Sequence, residues 1–158
     1  MVKLKLLALD EEDLAVLSSH LQDAVVKVGD LAYLPSQKRF AAVLNRFDWS
    51  SASGPDAKDY RRCRTALRFD RVLAAQHKDL RPQAKDRVLS LLAIKFEPGE
   101  PPSGTVTLFF SGDITIQLRV ECVEAELRDL GPAWPTRHKP RHPGEDAAGS
   151  EGPGAPGA

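Results

Sequence analysis

A chain of 158 residues that is 42% hydrophobic and 28% charged reads as one soluble globular domain with at most an appendage. Its 22 basic and 22 acidic side chains cancel, which argues against a dedicated nucleic-acid binder and leaves room only for a local basic patch. No apolar stretch approaches the roughly 18 residues of a membrane span, and the start MVKLKLLALDEED turns acidic too soon for a secretory signal. Cys63 and Cys122 have no metal-ligand spacing and sit in strand-like alternations, so the expectation is a cytoplasmic protein with two reduced, buried thiols.

In chain order, Leu4 to Leu9 reads as a short strand. Asp10 then caps a helix whose first turn holds Glu11, Glu12 and Asp13, where carboxylates meet unpaired amides and the positive end of the helix dipole. The adjacency of these acids is explained by that first turn and not by a metal site. Leu9 and Leu14 are placed as a hydrophobic staple. Leu14, Leu17, Leu21, Ala24 and Val25 repeat at helical spacing, predicting a helix from about Glu11 to about Ala24.

VVKVGDLAYL and RFAAVLNRFDW are β-like and flank a turn at Pro35-Ser36-Gln37-Lys38. After the polar loop SSASGPDAKDY, an arginine-rich strand is expected from about Arg61 to Ala74. It puts Arg62, Arg64 and Arg68 on one side and Cys63, Thr65, Leu67 and Phe69 on the other. VLSLLAIKF crosses the core, and EPGEPPSG breaks the chain. TVTLFF and ITIQLRVEC form a hairpin about Ser111-Gly112-Asp113, whose glycine can supply a positive φ. Val123, Leu127 and Leu130 suggest a short final helix ended by Gly131. Residues 1–134 are thus expected to fold as one domain, and the Pro/Gly/Ala-rich residues 135–158 to form a disordered tail.

The fold class predicted is α+β: a mostly antiparallel, strongly twisted sheet or partly open barrel with an N-terminal helix and a short C-terminal helix. Closed by that last helix, it would have a pleckstrin-homology-like topology.

The segments LDEEDLAVLSSHLQDAVVKVGDLAYL, RFAAVLNRFDW, ALRFDRVL and VLSLLAIKFEPGEPPSGTVTLFFSGDITIQLRVECVEAELRDLGPAW resemble a family of small alphaproteobacterial proteins classified only as a domain of unknown function. NRFDW and DLGPAW are the distinctive runs, and the resemblance spans Leu4 to Trp134. It implies a bacterial, single-domain protein and carries over no catalytic or binding residues.

Candidate chemistry is sparse. The closest pair of histidines, His138 and His142, lies in the expected tail beside Pro140 and Pro143. No nucleophile elbow and no phosphate-cradling glycine loop occurs in the sequence, and no cofactor is expected. In NRFDW, Phe47 and Trp49 share a face at period two; core packing is the preferred reading, with Arg46 and Asp48 outward. Arg46 and Trp49 could alternatively join Arg62, Arg64 and Arg68 in a binding patch that grips an anion or stacks a base. Against that patch stand Asp48, Asp59 and Asp70, which can neutralise it. Trp134 is expected to anchor the chain after the last element.

The reading is a non-catalytic binding module with a protein partner. Nucleic-acid or anionic-ligand binding through the arginine face is second, and an enzyme with a site assembled from distant residues is third.

Overall fold

The computed structural model describes residues 3–48, 60–131 and 134–136. They form β1 (Lys5–Ala8), α1 (Glu11–His20), β2 (Ala24–Lys27), β3 (Leu31–Leu34), β4 (Arg39–Phe47), β5 (Tyr60–Asp70), β6 (Val72–Lys78), β7 (Val88–Pro98), β8 (Gly104–Phe110), β9 (Thr115–Val120), β10 (Ala125–Asp129) and β11 (Trp134–Thr136). The ladder runs β1-β10-β5-β4-β2-β7-β8-β9-β6, with β3 added on β4 and β11 on β5. Every pairing among the described residues is antiparallel, as short connections require. The expected α+β class holds.

The cap of α1 is where the acidic run places it. Asp13 N donates to Asp10 Oδ1 at 2.8 Å, and Asp13 Oδ2 accepts from Leu9 N at 3.0 Å. Leu9 itself is 65% exposed, so these reciprocal bonds, and not a leucine staple, set the start of the helix. Leu14, Leu17 and Leu21 are buried and α1 packs against β7 and β1, each leucine contributing roughly 1.5–3 kcal/mol. The helix stops at His20 and not at Ala24, because Asp23 turns the chain with φ 64° and Ala24 begins β2. Ser18 Oγ then accepts from Ile94 N at 2.9 Å, beside an irregularity in the β7–β8 register between Leu91 and Ala93.

The turn between β8 and β9 behaves as its sequence demands. Gly112 takes φ 74° between β8 and β9. At Gly104, the first residue of β8, an added Cβ would stand 2.5 Å from Glu97 O and from the Phe96 ring.

Two expectations are corrected. The arginine strand does not continue unbroken to Ala74: Arg71 takes φ 63°, and the chain passes from β5, inside the ladder, to β6, at its end beside β9. The short C-terminal helix is absent from the described residues; its place is taken by β10. Ala125, Leu127 and Asp129 point inward there and pair with β5. The alternation was hidden because the third inward residue is an aspartate, and sheet pairing overrides the helix propensity of Ala, Glu, Leu and Arg. With that helix gone, the pleckstrin-homology-like closure goes too. The ladder is open at β1 and β6 and does not close into a barrel.

One core joins α1 to the inner face of the sheet, including Phe40, Leu44, Leu67, Phe69, Leu108, Leu118 and Leu127. β11 carries the folded chain through Thr136; the remainder of the expected tail, from Arg137, lies outside the described residues.

Candidate functional site

The β4–β5 register decides where the arginines go. Arg46 pairs with Cys63, Phe47 with Arg62, and Asn45 with Arg64, and opposed residues share a face. Arg46 therefore lies on the inner face with Leu44, Cys63 and Thr65, while Phe47, Arg62, Arg64 and Arg68 lie on the outer face.

On the inner face, Arg46 forms a bidentate ion pair with Asp129 of β10: Nε to Oδ1 and Nη2 to Oδ2, both 2.8 Å. Thr65 Oγ1 also donates to Oδ1, at 2.9 Å. Leu4 N donates to Oδ2 at 2.8 Å, while Asp129 N donates to Leu4 O at 2.9 Å. Burial works to raise the Asp129 carboxyl, yet the bonds from Arg46 and Leu4 outweigh it and hold the group below its ordinary value. Burial likewise opposes the Arg46 charge, but Asp129 raises Arg46 above the usual arginine value. His20, half-buried nearby, is lowered first by burial and then by the Arg46 charge. Cys63 donates to Gly131 O at 3.2 Å, and its thiol is raised by burial and by the Asp129 charge. A thiol so placed is protonated at neutral pH and is a weak nucleophile. The bonds to Asp129 tie Leu4, just before β1, to β4, β5 and β10. Among the described residues, no three His, Cys, Asp or Glu side chains come together as a metal site.

On the outer face, Trp134, Arg62 and Phe47 stand in one cross-strand row, because β11 pairs with β5 at Arg62 and β4 pairs with it from the other side. Arg62 is only 2% exposed. Its guanidinium lies 5.8 Å from the Phe47 ring centroid, and Nη1 donates to Asn45 O at 3.1 Å and Asp23 O at 3.5 Å. Burial pulls Arg62 below the usual arginine value, and Asp23 offsets part of that.

The expected arginine row is therefore dispersed. Arg62 is buried. Arg68 is held by Asp70 at 2.9 Å and by Glu126 at 3.5 Å. Arg46, expected outward or as an extension of the patch, is buried on the opposite face, as the parity of β4 requires. Asp48, also expected outward, is buried too. Arg64 alone of these arginines is exposed. Trp49 lies outside the described residues. Sequence reasoning did not assign Asp129, Thr65 or His20 to any cluster. The available signal was the pair of distinctive runs: Arg46 and Phe47 belong to NRFDW, Asp129 and Trp134 to DLGPAW, and the two runs meet on β5.

Two concave regions flank this framework. The first is a cavity of about 250 Å³ between β3 and β6, lined by Leu31, Tyr33, Phe40, Ala75, Leu80 and Ile116, with Gln76 and His77 among its polar members. The second is a cleft of about 390 Å³ on the outer face, where β2 and β4 part after their single paired position, Val25 with Asn45.

These features define a small α+β domain on one open antiparallel sheet, pinned by a buried ion pair. Residues 4–142 match the family described as "Protein of unknown function (DUF2948)", and the chain belongs to that family. No curated protein and no solved structure matches it. Among the described residues, no helix is long and apolar enough to cross a membrane.

Proposed function

We propose that this protein is a non-catalytic binding domain that takes an extended segment of a partner protein at the seam between β3 and β6. One observation carries the reading. Among the described residues β3 pairs only with β4 and β6 only with β9, and the apolar cavity lies between their two free edges. Leu31, Tyr33, Ala75 and Leu80 pack on the core there yet remain half-exposed, so the core is open to solvent along this line. Free strand edges offer backbone donors and acceptors that an extended chain satisfies.

Size narrows the occupant. A cavity of about 150 Å³ holds benzene, and pockets for drug-sized ligands begin near 300 Å³. At about 250 Å³ the seam suits one large apolar side chain and little more.

Peptide-display selection on the whole protein tests this. The enriched peptides should share a single bulky apolar anchor within a β-forming context. Ala75→Trp, which fills the cavity from its half-exposed wall, should weaken their binding at least tenfold while keeping the thermal midpoint. Equal binding to the Trp variant, or no enrichment, would remove the seam as the docking surface.

A further inference from the structure

We infer that the free edge of β1 is a self-association site, where a second copy of this chain adds its own β1 in antiparallel register about Leu7. The inference does not rest on the seam. Among the described residues β1 ends the ladder and pairs only with β10. Asp129 N donates to Leu4 O, so the alternation of an antiparallel pair turns the backbone of Leu4, Leu6 and Ala8 toward β10. The N–H and C=O groups of Lys5 and Leu7 therefore point away from β10. Side chains alternate as well: Leu4, Leu6 and Ala8 pack on the core, whereas Lys5, Leu7 and Leu9 face out. Leu7 is 59% exposed and Leu9 65%, and neither takes part in the core.

Lysines on an open edge ordinarily guard it against pairing. Here the charges select the partner. Lys3 and Lys5 precede Leu7, while Asp10, Glu11 and Glu12 follow it. A second β1 running antiparallel, with Leu7 on the two-fold axis, reverses that order. Lys5 then stands opposite the second copy's Leu9, and Lys3 opposite its Glu11, so the basic end of each copy meets the acidic end of the other. Lys3, Lys5, Glu11 and Glu12 are exposed, and none is in an ion pair among the described residues. Strand parity agrees. A two-fold axis perpendicular to the sheet keeps outward residues outward, so Leu7 meets Leu7 and packs diagonally against Leu9. A register one residue away would oppose outward Leu7 to inward Leu6 and lose the match. A ladder from Lys5 to Leu9 in each copy buries less than the roughly 1,200 Å² of a stable interface, so the dimer is transient. β6 lies at the other end of the ladder, which leaves both seams open in the dimer.

Analytical ultracentrifugation of the whole protein should show a monomer–dimer equilibrium with Kd on the order of 0.1 mM. Leu7→Glu should weaken it at least tenfold, and Leu34→Glu, at an exposed leucine on β3, should leave it unchanged. Lys3→Glu with Lys5→Glu should also weaken it, as should Glu11→Lys with Glu12→Lys. Mixing those two double variants should restore association as a heterodimer. Cross-linking checks the register without relying on stability. In a Cys122→Ser background, Leu7→Cys should form a disulfide-linked dimer with copper–phenanthroline. A hydrogen-bonded pair on the axis has Cα atoms about 5.5 Å apart, within disulfide range. Lys5→Cys in the same background should not link, since its two copies stand more than about 13 Å apart. A monomer at all concentrations up to about 1 mM overturns the inference. So does association that Leu7→Glu leaves intact, mixed variants that stay monomeric, or Lys5→Cys linking as fast as Leu7→Cys.

Discussion

Asp129 grips Arg46 with both carboxylate oxygens, each contact 2.8 Å, across 83 positions of sequence and inside the protein. A buried pair of this kind is weak evidence of net stabilisation, since its desolvation is unfavourable, but breaking it leaves one buried charge alone. Asp129→Asn should therefore lower unfolding free energy by about 3–5 kcal/mol in urea titrations. Joining Arg46→Met to Asp129→Leu should recover much of that loss. An unchanged midpoint in Asp129→Asn would show that the pair does not hold the fold.

Acid should destabilise the protein in two steps of the same sign. His20 is held below the ordinary histidine value of 6.5, so the fold favours its neutral form. That contribution is complete above 6.5 and is lost as pH falls through the folded value. Asp129 is held below 3.8, so its contribution is complete above 3.8 and is lost as pH falls further. Urea midpoints across this range should fall with pH, and His20→Gln should flatten the upper step alone. A midpoint that rises on acidification from neutral pH would contradict the placement of both groups.

The arginines of RRCRTALRFDRV should separate by role. Arg62→Gln should destabilise by roughly 1–3 kcal/mol, because it leaves the Asn45 carbonyl without its buried donor. Arg64→Gln should stay within about 0.5 kcal/mol of the parent, as exposed substitutions do. Fluorescence anisotropy at low salt should detect no binding to single-stranded or duplex nucleic acid. Tight, salt-sensitive binding that Arg64→Gln and Arg68→Gln both weaken would restore the strand as a phosphate-binding surface.

The two cysteines should differ in labelling. Cys63 is fully buried and its thiol is raised, whereas Cys122, expected to be equally buried, is only half-buried just past β9. A maleimide should modify Cys122 first in the native protein, and Cys63 only on unfolding, as mass spectrometry would read. Native labelling of Cys63 at a comparable rate would place that strand face in solvent.

Gly104→Ala should destabilise by about 1–3 kcal/mol, since its new methyl meets backbone at Glu97 and the Phe96 ring. Gly131→Ala, with nothing within 4 Å of its added Cβ, is the control that should be tolerated in the same thermal melts.

Local chemistry wrote much of this architecture into the sequence. The acidic cap of α1, the glycine turn at Gly112 and the alternation of β9 are read directly, because each depends on neighbours a few residues apart. The inward set Ile114, Ile116, Leu118 and Val120 is buried as its period demands. The alternation of β5 was equally legible: Cys63, Thr65, Leu67 and Phe69 are all buried.

What only the tertiary structure decided was which face is wet, and where. Alternation separates two faces, but it does not say that β11 will lay Trp134 beside Arg62, or that β4 will bring Phe47 to its other side. Nor does it say that the charged residue ending β10 turns inward to meet Arg46. An arginine reads as exposed until a partner far along the chain supplies the opposite charge or the apolar wall, and that partner is fixed by strand pairing. The same holds for the seam and the cleft, which exist because, among the described residues, β3 and β6 stay unpaired at their outer edges and β2 parts from β4. The sequence determined most of the elements and most of their faces; long-range pairing made β10 a strand and determined the burial of the charges and the shape of the two cavities.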